Sequence, residues 1–278
     1  MKGLLLAAGI TLTPFMVAAQ ERVLSIGGAV SEIVAELGAT GRLVGRDTTT
    51  TYPPELTTLP DVGYMRALSP EGLLSLNPDL ILLSEGAGPP ETLAMLEGAG
   101  VRMVKVPEGH DTGAVAEKVR VIAAALGMAA EGAALAEKLD AEITAAAAEA
   151  ATGGPKPRVL FLLSNSGGRL TGAGTDTSAA AMIALAGGTN ALPGFSGYKA
   201  LGDEAITAAA PDVLLVMTRS GNAPSEGADY LDHPALAATP AGQAQRLIEM
   251  DGMFLLGFGP RTAPAIRALH TALFPGEG

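Results

Sequence analysis

The sequence predicts an α/β protein of two related βα-sandwich lobes with mostly parallel sheets, joined by one long helix. Three observations carry that prediction. Short apolar runs alternate with helical patterns, which is the grammar of βαβ units and a parallel sheet. A helix–strand unit occurs twice: Leu68-Ser-Pro-Glu71, through Pro78-Asp79 to Leu83, returns 133 residues later as Leu201-Gly-Asp-Glu204, through Pro211-Asp212 to Val216. Leu, Glu, Pro and Asp recur in register, which marks an internal duplication. Between the copies lies a segment rich in Ala, Glu, Lys and Leu, the strong helix formers.

The elements follow in order. At the start, Lys2 precedes an apolar stretch over residues 3–17 and the small residues Ala18 and Ala19. This is the pattern of a secretory signal peptide over residues 1–19, cut after Ala19. The apolar run is shorter than the roughly 20 residues a membrane span needs. Arg22-Val23-Leu24-Ser25-Ile26 reads as a buried strand stopped by Gly27-Gly28. A helix opened by Ser31 and closed by Gly38 follows, then a strand at Leu43-Val44-Gly45. Ser69-Pro70-Glu71 supplies a cap, a first-turn Pro and an acidic first turn for a helix over residues 69–77. Asn77-Pro78 stops it, and Leu80-Ile81-Leu82-Leu83 is a buried strand. Residues 112–151 are helical with a break at Leu126-Gly127-Met128, and the part after the break, 129–151, reaches roughly 30 Å at 1.5 Å per residue. Arg158-Val159-Leu160-Phe161-Leu162-Leu163 restarts the strand pattern. The chain thus divides into a first lobe over 20–111, a helical segment over 112–152 and a second lobe over 153–278.

Composition narrows the chemistry. Against 18 Lys and Arg stand 29 Asp and Glu, a net charge of −11, or −12 without Lys2. An acidic chain lacks the clustered cations that sequence-independent nucleic-acid binding needs. With no Cys, disulfides, thiolate metal sites, thiol nucleophiles and a lipidated N-terminal Cys are excluded. An exported, Cys-free chain points to the periplasm. Gly194-Phe-Ser196-Gly197-Tyr198 lacks the last Gly of a nucleophile elbow, and Gly172-Ala-Gly174-Thr-Asp-Thr177 lacks the third Gly of a dinucleotide fingerprint. His110, His233 and His270 show no ligand spacing. The pattern favours a binding protein over an enzyme.

Several stretches resemble the periplasmic haem-binding proteins that feed haem ABC importers. They are Leu24-Ser-Ile-Gly-Gly28 with Glu32-Ile33-Val34, Arg46-Asp-Thr-Thr-Thr-Thr-Tyr-Pro-Pro54, Leu59-Pro-Asp-Val-Gly-Tyr64-Met-Arg66-Ala-Leu-Ser-Pro-Glu71-Gly, and Ser84-Glu-Gly-Ala-Gly-Pro-Pro90. Further matches are Ala180-Ala-Met-Ile-Ala-Leu-Ala-Gly-Gly188, Val216-Met-Thr-Arg219 and Leu256-Gly-Phe-Gly-Pro-Arg261. The resemblance implies two lobes on a single rigid helix, with haem held in the cleft between them as a transported ligand. It implies that Tyr64 ligates haem iron, a hard phenolate oxygen on a hard ferric ion. Arg66 is the candidate to hydrogen-bond that phenolate.

In some family members a second-lobe His follows the lobe's first strand; here Ser164-Asn165-Ser166-Gly167-Gly168 stands there, and Asn165 is a poor ligand. Five-coordinate iron, or a weak sixth ligand such as water, is therefore expected. Tyr198, in the Gly-Tyr echo of Tyr64, could pack against porphyrin. Arg219 and Arg46, each after a strand, are candidates to pair with the propionates. The resemblance implies that Glu71 and Glu204, matched across the duplication, dock onto the two halves of a membrane permease dimer with its ATPase. The protein itself is expected to be monomeric and not to catalyse a reaction. Two readings stay open: the same fold carrying a ferric siderophore or corrinoid, and an exported hydrolytic or haem-handling enzyme.

Overall fold

The computed structural model describes residues 21–152, 154–218 and 230–276; the signal-peptide assignment over 1–19 and Arg219 lie outside them. The first sheet contains β1 (Val23–Ile26), β2 (Leu43–Arg46), β3 (Leu80–Ser84) and β4 (Arg102–Val106). Its order is β2-β1-β3-β4 and every pairing is parallel. The second contains β5 (Arg158–Ser166), β6 (Arg169–Ala173), β7 (Thr189–Asn190), β8 (Tyr198–Ala200), β9 (Val213–Thr218) and β10 (Leu247–Asp251). Its order is β10-β9-β5-β6-β8, with β7 also on β5. Strands β10, β9, β5 and β7 are parallel, whereas β5, β6 and β8 pair antiparallel.

Strand β5 runs past Leu163, the last residue of the apolar pattern, and its extension carries the antiparallel part. The strand continues, and Ser166 pairs with Arg169. Gly167 and Gly168, at φ of 59° and 83°, close a two-residue hairpin turn with the left-handed conformations that match strand twist.

Eleven helices are described, each with its range: α1 (Gly28–Glu36), α2 (Pro70–Leu74), α3 (Pro90–Gly98), α4 (Ala114–Ala125), α5 (Ala129–Ala150), α6 (Ser178–Leu185), α7 (Asp203–Ala209), α8 (Pro234–Ala237), α9 (Pro240–Gln243), α10 (Gly252–Leu256) and α11 (Thr262–Leu273). Helix α1 starts three residues before the Ser31 expected to cap it. The Ser31 hydroxyl is instead buried, 2.8 Å from the Ser25 hydroxyl and 2.6 Å from that of Thr50. Helix α2 is shorter than the expected 69–77, although Ser69 caps it as read. Gly127, at φ 72°, separates α4 from α5. Helix α5 is about 33 Å long at 1.5 Å per residue and packs against α4 on one side and α11 on the other.

Successive strand residues sort to opposite faces, as a period of two requires. Val23, Leu80 and Leu82 of the first sheet share one core with Val159, Phe161, Val213 and Leu215 of the second, under α1, α4, α5, α6 and α11. Their neighbours Leu24, Ile26, Ile81 and Leu83 pack with Leu73 and Leu96 from α2 and α3. Leu160, Leu162, Leu214 and Val216 pack with Ile206 and Leu236 from α7 and α8. The two lobes therefore share a continuous apolar core on the α5 side, while each keeps its own on the other.

The duplication is physical as well as textual. Strands β3 and β9, and helices α2 and α7, start at positions related by the same 133-residue offset seen in the sequence. Asn77 and Ala210, also so related, are both left-handed, at φ 45° and 39°. A carboxylate oxygen of Asp79 accepts the backbone N–H of Arg22, and one of Asp212 accepts that of Arg158, each at 2.8 Å. The same arginines donate side-chain N–H groups to the carbonyls of Leu76 and Asn77 in one lobe and of Ala209 in the other. Ala209 ends α7, and Leu76 and Asn77 follow α2, so each arginine satisfies carbonyls where the chain leaves its helix.

Candidate functional site

Tyr64 sits on the segment that follows β2, and this segment is pinned along its length. Beyond the end of β2, Arg46 N–H donates to the Pro60 carbonyl at 2.9 Å and Val62 N–H to the Arg46 carbonyl at 2.9 Å, so residues 60–62 run beside the strand end. Thr48 N–H donates to the Gly63 carbonyl at 3.0 Å, and Gly63 N–H to a carboxylate oxygen of Asp61 at 2.8 Å. The Tyr64 carbonyl accepts from Ala67 N–H at 2.8 Å, and that of Met65 from Gly88 N–H at 2.9 Å. Met65 and Leu68 are buried beneath. Gly63 takes φ 92°, a conformation glycine adopts without cost, and this delivers the next side chain outward. Tyr64 is 48% exposed. Among the described residues its hydroxyl has no hydrogen-bond partner. A fixed backbone thus presents an unused phenol to solvent.

Arg66 is exposed and makes no ion pair among the described residues. Arg46, by contrast, is engaged by its own loop. Its guanidinium donates to an Asp61 carboxylate oxygen at 2.9 Å, to the Thr57 carbonyl at 3.0 Å and to the Asp47 carbonyl at 3.1 Å. Three acceptors of its own loop occupy it, so it holds the Tyr64 segment in place.

Asp47 and the threonines after it anchor the other end of the segment. The fully buried Asp47 carboxylate accepts Gly27 N–H at 2.9 Å and Thr49 N–H at 3.1 Å. The Thr49 hydroxyl donates to Asp47 at 2.8 Å and accepts from Gly28 N–H at 2.8 Å. Gly27 has no side chain to cap α1, so this loop serves the helix's first N–H groups.

In the second lobe, Gly197 takes φ 78° ahead of Tyr198, repeating the Gly63–Tyr64 geometry. Tyr198 is 39% exposed, with its hydroxyl 3.4 Å from that of Ser178 and its ring 6.5 Å from Phe161, edge to face. Asn165 lies in the β5–β6 hairpin, where its Oδ1 accepts Gly168 N–H at 3.0 Å. The amide therefore serves the turn. Glu71 and Glu204 are exposed in the first turns of α2 and α7.

Two contact zones join the lobes. At one, His110 stacks edge to face on Phe258 at 5.4 Å, and the buried Lys118 ammonium donates to the Phe258 carbonyl at 3.1 Å. Burial pulls the Lys118 ammonium below its ordinary range, against the opposing pull of Glu108. His110 lines a cavity of about 380 Å³ with Thr175, Asp176, Thr177 and Asn190 of the second lobe. At the other zone, Arg261 ahead of α11 forks onto Glu32 of α1 and stacks on Tyr52. Nothing in the sequence pairs these three residues, although each falls within a stretch that carries the family resemblance. Among the described residues, no cluster of His, Asp and Glu is placed to hold a metal ion, and no helix is long and apolar enough to cross a membrane.

Comparison with known proteins gives a consistent answer. The family model described as periplasmic binding protein matches residues 23–253. The structure of the periplasmic haem-binding protein BhuT in complex with two haems is 46% identical; the match covers 91% of this chain and 97% of that one, with a TM-score of 0.85. The apo form of the periplasmic haem-binding protein RhuT from Roseiflexus sp. RS-1 is 42% identical over 92% and 98% of the two chains, with a TM-score of 0.87. An uncharacterized ABC transporter substrate-binding lipoprotein of Bacillus subtilis (strain 168), YvrC, is 23% identical over 92% of this chain and 80% of that protein.

Proposed function

The chain belongs to the periplasmic binding protein family, and from that premise we propose that it captures haem between its lobes and delivers it to an inner-membrane ABC importer. Members of this family and its named relatives are binding proteins of transporters that work outside the cytoplasm. In this reading residues 1–19 direct export to the periplasm, and residues 20–111 and 153–278 form the two lobes about the helical segment 112–152.

The observation that carries the reading is Tyr64: an exposed phenol without a partner among the described residues, on a backbone held from both sides. Ferric haem is a hard Lewis acid, and a phenolate is a hard donor used in other haem proteins. Arg66, without an ion pair among the described residues, is positioned in sequence to donate to the phenolate. Pre-formed loop geometry lowers the ordering cost of binding. Tyr198 offers an aromatic edge from the second lobe, and Arg219 a cation for a propionate. With Asn165 committed to its turn, the iron keeps Tyr64 as its single protein ligand. Glu71 and Glu204, one exposed carboxylate per lobe, suit a permease whose two halves present the same surface. The carrier works as a monomer, and its chemistry is capture and release, with no bond made or broken in the ligand's skeleton.

The test is an absorption titration of the purified protein with ferric haem, run beside a ferric siderophore and a corrinoid. Saturable binding of haem alone supports the reading; preference for either competitor contradicts it. Glu71→Ala with Glu204→Ala leaves that titration unchanged and lowers transport in a reconstituted importer.

A further inference from the structure

The Glu32–Arg261 contact joins residues 229 positions apart, one in each lobe. The fork is bidentate: Arg261 Nε donates to one Glu32 oxygen at 3.0 Å and a terminal nitrogen to the other at 2.5 Å. Its setting is dry, with the Glu32 side chain 6% exposed and that of Arg261 22%. The guanidinium lies 4.2 Å from the centre of the Tyr52 ring and 5.3 Å from that of Phe254. It is therefore held edge-on by a carboxylate and face-on by an aromatic ring, the two directions in which arginine binds best. A Cβ on Gly28 would meet the end of the Met253 side chain at 2.6 Å and one on Gly259 would meet Ala29 at 3.2 Å, so the lobes pack closely around the pair.

Buried ion pairs are poor sources of net stability, because desolvation offsets the attraction. The Glu32 carboxyl is raised above its ordinary value, chiefly by burial, despite Arg261. A pair that contributes little to stability and yet fixes direction across an interface is suited to setting geometry.

We propose that Arg261 is a positioning residue of the ligand cleft: through its fork to Glu32 and its stack on Tyr52 it fixes the lobe that carries Tyr198 relative to the lobe that carries Tyr64. The apolar core shared on the α5 side resists separation of the lobes but tolerates sliding, since dispersion contacts are non-directional. The fork and stack supply the missing directionality. This rests on the haem-carrier reading for its consequence, but not for its geometry.

The absence of Cys permits two site-specific spin labels, at Met95→Cys on α3 and Ala208→Cys on α7, both exposed. Distance measurement on the ligand-free protein is expected to give one narrow distribution. In Arg261→Ala, and in the apolar pair Glu32→Leu with Arg261→Met, which keeps packing should the single variant not fold, a second, longer population appears. Haem dissociation quickens about tenfold, as interface changes act mostly on release, while the iron-ligand absorption bands stay as in wild type. An unchanged distance distribution in a folded variant overturns the proposal. A distance change in a protein that binds no haem upholds the positioning role and overturns the haem reading instead.

Discussion

Replacing Asp47 by Ala should cost the fold about 1–4 kcal/mol. The carboxylate is fully buried and accepts two backbone N–H groups, from Gly27 and Thr49. The Gly27 donor is buried and the Thr49 donor only partly so, and a buried donor left unsatisfied costs about 1–3 kcal/mol, a partly exposed one less. The Thr49 hydroxyl can turn to another acceptor, so it adds little. Two orphaned donors give the range stated, a large share of the 5–15 kcal/mol typical of a native domain. Asp47→Asn keeps the shape and one accepting oxygen and should lose about half as much. The assay is urea unfolding of both variants, read as a change in midpoint at constant slope. A loss of less than about 1 kcal/mol in Asp47→Ala would refute the claim that the buried carboxylate anchors the loop and the start of α1. Because Thr48 N–H holds the Gly63 carbonyl, the surviving folded protein should also bind haem more weakly.

Two further outcomes follow from the same reasoning. Ala210 is left-handed where its counterpart Asn77 is better suited, so Ala210→Asn should raise stability by up to about 1 kcal/mol in the same unfolding assay; a destabilised variant contradicts the equivalence of the two helix ends. Burial raises the Glu32 carboxyl above 4.5, with Asp251 and Glu36 adding to the rise and Arg261 opposing it. Between 4.5 and the raised value the native chain holds a proton that the unfolded chain has released, so stability from this group falls as pH rises through that window. The stability of wild type relative to Glu32→Gln should therefore grow as pH is lowered through the window and level off below it. A pH-independent difference would show that Glu32 is not desolvated.

The fold was legible where local chemistry decided it. Gly127 and the Ala-rich composition around it place the α4–α5 break, and the repeated Pro-Asp ahead of an apolar run places β3 and β9. Expectation and structure part where a distant residue takes over a local signal. Ser31 looks like a helix cap, but Ser25 and Thr50 draw its hydroxyl into a buried network, leaving Gly27 to start α1. The Gly167-Gly168 pair is itself a hairpin signal, but the polar residues 164–166 before it hide the extension of β5. At the candidate site, Tyr64 and Tyr198 stand out as Gly-Tyr echoes, and the positive φ of each glycine explains why that dipeptide recurs. The Arg46–Asp61 contact forms only when the loop folds back along β2, so no local pattern announces it. Glu32, Tyr52 and Arg261 are too far apart in sequence for any periodicity to join them; only the stacking of one lobe on the other does so.

The central claim is that Tyr64 supplies the iron ligand. Its most direct measurement is the visible and resonance Raman spectrum of the ferric haem complex in wild type and in Tyr64→Phe, which keeps the ring and removes only the oxygen. The account predicts a high-spin spectrum with a phenolate-to-iron charge-transfer band in wild type, absent in Tyr64→Phe, together with a large loss of affinity. The same band and affinity in both proteins would place the ligand elsewhere and contradict the account.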